Sequence, residues 1–126
     1  MDSNINLCLE RADNELTLAR TLHKISADAK IKKEVLNIAE DATFYSAVIS
    51  HAYYGIFYSA KAYLLSKDIK IPRQGQHQKV YFTFKRFVKE GKITKELLAI
   101  YSELRFKAEL LLEILDKQEE NRSTYT

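Results

Sequence analysis

Thr43-Phe44-Tyr45-Ser46-Ala47-Val48-Ile49-Ser50-His51-Ala52-Tyr53-Tyr54-Gly55-Ile56-Phe57-Tyr58-Ser59-Ala60-Lys61-Ala62-Tyr63-Leu64-Leu65 is the stretch whose reading decides the fold. Its aromatic and β-branched residues suit a strand, but it has no proline and no internal turn, and strands rarely exceed about 10 residues. A helix remains, apolar nearly all round and therefore central to whatever packs on it. One of its faces carries Ala47, His51, Gly55, Ser59 and Ala62 at helical spacing. Small residues there let another helix approach closely. That accounts for a glycine that otherwise costs about 1 kcal/mol in a helix. His51 lies in this seam.

Outward from the central helix the chain reads as more helices. Asp2, Ser3 and Asn4 are good N-caps, and Ile5, Leu9, Ala12, Leu16, Ala19 and Leu22 then recur at helical spacing to about His23. Ser26 or Asp28 can cap a short second helix with Ile31, Val35 and Ile38 on one face, and Asp41 can restart the chain into the central helix, which ends near Lys67. Residues 68–76 form a loop. A helix from about His77 presents Val80, Phe84, Phe87 and Val88 and stops at Gly91. Thr94 caps the last helix, Ile93 staples onto Leu98, and Leu97, Tyr101, Leu104, Ala108, Leu111 and Leu115 form a seam. Arg105, between Leu98 and Leu112 on the flank of that seam, is expected to be partly desolvated and partnered. The expected fold is an all-α, up-and-down bundle of four to five helices, one domain over residues 1–126.

Composition agrees. The 126 residues are 46% hydrophobic and 29% charged, with only three Gly and one Pro, which excludes wholesale disorder and leaves few places to turn. The lone Cys8 excludes an internal disulfide and any CxxC metal site, as expected of a reducing cytoplasm. Met1-Asp2-Ser3-Asn4 does not open a signal peptide. Residues 42–60 carry no formal charge and approach the length of a membrane span. Their four Tyr, three Ser, Thr43 and His51 argue against one.

The net charge of +3 hides an asymmetry. Residues 67–95 carry nine basic side chains against two acidic ones, a local +7. The nine are Lys67, Lys70, Arg73, Lys79, Lys85, Arg86, Lys89, Lys92 and Lys95. Such a segment attracts polyanions, nucleic acid first among them, or is simply a solvated helix face.

Familiar catalytic signatures are missing: no Gly-rich phosphate loop, no HExxH, no GxSxG, no Cys/His metal spacing. No cofactor and no metal are expected. His23, at a helix end, favours the dipole there. His77 opens a helix in a basic loop, and His51 sits in the packed seam. Each has a structural reading alongside a catalytic one, which only geometry can separate.

From Ser46 to Leu65 the chain resembles the signature of the HEPN domain family, whose typical form is A-(I/V)-S-R-A-Y-Y-A-(I/M)-F-H-A-A-(K/R)-A-L-L. The likeness continues through His77, Phe84 and Phe87-Val88-Lys89-Glu90-Gly91-Lys92-Ile93 into Leu104-Arg105 and Lys107-Ala108-Glu109-Leu110, close to the family's L-R-x-x-A-D-Y. It covers about residues 1–112, with 26–40 unmatched. The resemblance implies a cytoplasmic helical bundle, usually a homodimer, often paired with a minimal nucleotidyltransferase in a toxin–antitoxin module. Active members of such a family are metal-independent ribonucleases using R-x(4–6)-H, the Arg stabilising phosphate charge and the His acting as base or acid. Here Arg105 is followed by Glu109, Leu110 and Leu111 instead, Arg122 by Ser-Thr-Tyr-Thr, and Arg73 stands too close to His77; His51 occupies the position where the family usually has Arg.

Three functions follow as expectations. The first is a dimeric component that binds RNA or nucleotide beside a nucleotidyltransferase partner, with no membrane, through Arg73, Lys79, Lys85, Arg86 and Tyr54. The second is an active endoribonuclease assembled from distant residues, His51 or His77 with Arg105. The third is a non-catalytic helical adaptor.

Overall fold

The computed structural model describes the backbone of residues 3–124 and the side chains of residues 3–111. Four α-helices follow one another, α1 (Ser3–Ala27), α2 (Tyr45–Ser66), α3 (Gln76–Lys89) and α4 (Lys95–Thr124), with a π-helical turn at Ile31–Val35 between the first two. Among the described residues there is no strand. The all-α bundle is as expected, and each helix packs on the next in the chain. No helix among these residues is long and apolar enough to cross a membrane.

The two-sided apolar character of α2 has a direct use. Tyr53, Phe57, Ala60 and Leu64 join Val80, Tyr81, Phe84 and Phe87 of α3 and Tyr101 of α4 in one core. The small-residue side receives α1 so closely that a Cβ on Gly55 would lie 2.5 Å from Leu16 Cδ2. The buried face of α1 is Cys8, Ala12, Glu15, Ala19 and Ser26, shifted from the stripe expected from sequence, with Leu9 left exposed. The small residues of α2 leave room for Leu16 of α1 to sit directly against the Gly55 backbone.

Between α1 and α2 the sequence reading needs correction. α1 continues past His23 to Ala27, with the Ser26 hydroxyl donating to Leu22 O at 2.7 Å. Asp28 Oδ1 does accept from Ile31 N–H at 3.1 Å, but the turn it opens is wide: Leu36 N–H reaches Ile31 O, and Asn37 then turns left-handed at φ 55°. Val35, expected on an apolar face, is 74% exposed. The cause is Lys32, whose buried ammonium donates to Ser26 O at 3.0 Å and Ala42 O at 2.9 Å. With Phe44 N–H donating to Ser26 Oγ at 2.8 Å, this ties residues 42–44 to the end of α1 and delays α2 from Asp41 to Tyr45.

The ends of α2 and α3 share one device. Asp68 (φ 61°) and Gly91 (φ 76°) are both left-handed. Ile69 N–H bonds Leu64 O at 3.1 Å and Lys92 N–H bonds Phe87 O at 2.9 Å, the six-to-one closure that satisfies the last carbonyls of a helix. Along α4, Tyr101 is fully buried, Leu104, Ala108, Ile93 and Leu98 pack on the core, and Leu97 is exposed. The side chains of Leu112, Leu115 and Arg122 lie outside the described residues.

Candidate nucleic-acid interface

Gly75, left-handed at φ 69°, turns the loop into α3 and sets His77 on the core edge. There the imidazole stacks on Phe57, ring centroids 4.0 Å apart, and its Nδ1 lies 2.9 Å from the Tyr53 hydroxyl. Tyr54 meets the same ring edge-on at 6.1 Å. Burial, and then the Lys61 charge, hold His77 below its usual pKa, so the ring is neutral at pH 7. Burial pushes the Tyr53 phenol up to about 12 against the pull of Arg105, so it keeps its proton and can donate to Nδ1.

Arg105 is partly desolvated and partnered, as its place beside the α4 seam implied. Its guanidinium lies 4.3 Å from the centre of the Tyr81 ring and 5.6 Å from that of Phe82, and Nη2 is 3.6 Å from Glu109 Oε1. The Arg105 charge opposes the upward shift of the Tyr53 phenol. His77 meets the Tyr53 hydroxyl directly, whereas Arg105 lies over the Tyr81 and Phe82 rings. His51 belongs elsewhere: its Nδ1 is 2.5 Å from Oε2 of the buried Glu15, whose Oε1 accepts from Arg11 Nε at 2.9 Å. Burial raises the Glu15 carboxyl, but the hydrogen bonds from His51 and Arg11 outweigh it and hold the group below its usual value. This cluster clamps α1 to α2. Glu15 was not singled out in the sequence, although its place between Ala12 and Ala19 puts it on the buried face.

The five expected binding residues separate. Lys79 and Arg86 line one shallow groove of about 430 Å³ along α3, together with Gly75, Gln78, Phe82 and Thr83. Lys85, half-buried, is not among the residues lining it. Arg73 lines a different cleft, against α1 and α2, and Tyr54 stays with His77. Phe82 is the residue that sequence reasoning missed: it is 56% exposed in the middle of the groove. Its signal was available, since it stands three residues after Lys79 and four before Arg86, opposite the Val80–Phe84–Phe87 face. Arg86 sits 3.9 Å from Glu90, at the limit of an exposed pair.

An exposed aromatic ring with Lys79, Arg86 and Arg105 around it has the two features that single-stranded nucleic acid needs: a face for a base to stack on and cations for the backbone. Among the described residues no group of three His, Cys, Asp or Glu side chains gathers where a metal ion would sit.

Comparison with known proteins adds the lineage of this arrangement. The model of the HEPN domain matches residues 23–110. A curated protein of Methanocaldococcus jannaschii named "Putative toxin MJ0142" is 30% identical over 89 residues, which are 71% of this chain and 59% of that protein. The chain therefore spans under two thirds of its relative's length. No solved structure matches.

Proposed function

The chain belongs to the HEPN domain family, and from that premise we propose that it is a toxin-like RNA-binding component of a module shared with a nucleotidyltransferase. RNA docks on the α3 groove, where a base stacks on Phe82 and the backbone meets Lys79, Arg86 and Arg105. The observation that carries this reading is Phe82, a large aromatic left half in solvent among three cations. The toxin-like part rests on the name of the Methanocaldococcus relative, and the nucleotidyltransferase partner on what the family resemblance implies. A cytoplasmic homodimer belongs to the same proposal. Its second copy covers the apolar cleft between α2, α3 and α4, where Leu97 and Ile100 are half-exposed beside Ile56 and Phe84.

A second reading, metal-independent cleavage, is favoured by one observation: His77, held neutral, bonds the Tyr53 hydroxyl, a phenol on which the Arg105 charge also acts. A base and a phosphate-stabilising cation are the parts that such a reaction requires. Incubating the protein with single-stranded RNA in EDTA separates the readings. Binding without cleavage supports the first. Cleavage that is lost in both His77→Ala and Arg105→Ala supports the second, and neither binding nor cleavage at low salt leaves only the adaptor.

A further inference from the structure

Between α1, α2 and the loop 68–76 lies a cleft of about 670 Å³ that shares no lining residue with the α3 groove. Its volume falls within the roughly 300–1,000 Å³ that encloses a small organic ligand. Three elements each send a cation into it: Arg11 from α1, Lys61 from α2 and Arg73 from the loop. Glu10 is the one carboxylate among the residues that line it.

Those cations are incompletely satisfied. The Lys61 ammonium donates to the neutral amide oxygen of Gln76 at 3.0 Å, which leaves two of its three N–H donors. Arg11 commits Nε to Glu15, and its guanidinium lies 4.9 Å over the Tyr58 ring, so its terminal N–H groups remain available. Arg73 forms no ion pair among the described residues. Burial pushes the Cys8 thiol up despite Lys61 nearby, so it supplies no negative charge at neutral pH. Arg11 is paired with Glu15, but Lys61 and Arg73 meet no carboxylate among the described residues, and an anion between the three would relieve their mutual repulsion.

A phosphate monoester carries about −1.5 to −2 at pH 7 and three strong acceptor oxygens, which suits donors converging from three directions. Tyr58, Leu65 and Ile71 give the remainder of the cleft an apolar wall, for which a bare phosphate would have no use. We propose that the cleft between α1, α2 and the 68–76 loop binds a phosphate monoester on an apolar or aromatic body, with Arg11, Lys61 and Arg73 holding the phosphate. This site goes beyond the RNA groove and does not depend on it. Arg73 in the cleft is two residues from Gly75 in the groove, so the phosphate belongs either to a free small molecule or to the 5′ end of a nucleic acid.

Phenyl phosphate is the probe, titrated calorimetrically into the full chain at low salt. Binding is expected, with methyl phenyl phosphate, a monoanionic diester, weaker by about tenfold, and Lys61→Gln and Arg73→Gln each weakening phenyl phosphate by about tenfold with melting curves unchanged. Phe82→Ala, which lowers RNA binding, leaves phenyl phosphate affinity unchanged, so failure of the RNA reading is visible separately. A trinucleotide with and without a 5′-phosphate distinguishes the sources. If only the phosphorylated one displaces the probe, and Arg73→Gln removes that advantage, a nucleic-acid end is the ligand. If both displace it equally poorly, the ligand is a free organic phosphate. No heat from phenyl phosphate at millimolar concentration on folded protein, or equal affinity in wild type and Arg73→Gln, overturns the proposal.

Discussion

Phe82 and Tyr101 show how differently two aromatic side chains of one bundle can be used. Phe82 is held half in solvent outside the core, which it meets edge-on at Tyr81. Phe82→Ala should therefore lower affinity for single-stranded RNA by roughly 1–3 kcal/mol per stacked base, about 5- to 150-fold, while the melting temperature stays put. Equal RNA affinity in filter binding would remove Phe82 from the account. Tyr101 is fully buried, and its hydroxyl has no hydrogen-bond partner. An unsatisfied buried hydroxyl costs about 1–3 kcal/mol, so Tyr101→Phe should leave the melting temperature unchanged or raise it. A clear loss would reveal a partner for that hydroxyl. The charge of residues 67–95 was legible in the sequence, but its division between two sites was not, because it depends on Arg73 leaving the loop toward α1 while Lys79 and Arg86 face outward from α3. His77 and Arg105 were both candidates from sequence alone. That His77 meets the Tyr53 hydroxyl needed the packing of α2 against α3.

At the scale of elements, the helices were legible because their apolar residues recur at helical spacing, and the stop at Gly91 because a left-handed residue there favours glycine. The segment 28–44 was not legible, since a lysine with its ammonium buried between carbonyl oxygens leaves no trace in a hydrophobic pattern. Asp68 occupies the same left-handed position that Gly91 does, at a cost of about 1–2 kcal/mol for a residue with a Cβ. Asp68→Gly is expected to raise the stability measured by urea unfolding by roughly that amount, less the unfolded-state entropy of an added glycine. Gly55→Leu should do the reverse, by about 1–3 kcal/mol, because the larger side chain drives into Leu16. An unchanged melting temperature would show that the α1–α2 contact is looser than described. The Glu15–His51–Arg11 cluster makes that contact dependent on pH. The Glu15 carboxyl is held below its usual value in the fold, so its contribution is fully present above the unfolded-state value and is lost as pH falls through the folded-state value. Glu15→Gln should flatten the acid limb of the stability profile, and a wild-type profile with an identical limb in the variant would contradict the assignment.

For the whole molecule, three faces of one small bundle carry three kinds of chemistry. The apolar cleft of α2, α3 and α4 belongs to a second copy in our reading, and light scattering at tens of micromolar, the range of weak interfaces, should report a dimer. A monomer there would remove that part. The cationic cleft against α1 takes a phosphate, and the α3 groove takes RNA. The last of these is the central claim, and titrating single-stranded RNA across a series of salt concentrations tests it most directly, with wild type beside Lys79→Glu/Arg86→Glu. For wild type the logarithm of affinity should fall by about 0.7 per logarithm of salt for each phosphate neutralised. The double variant should fold normally, since neither side chain is buried, and bind no RNA at low salt. A wild-type affinity that ignores salt, or a double variant that binds as wild type does, would contradict the account.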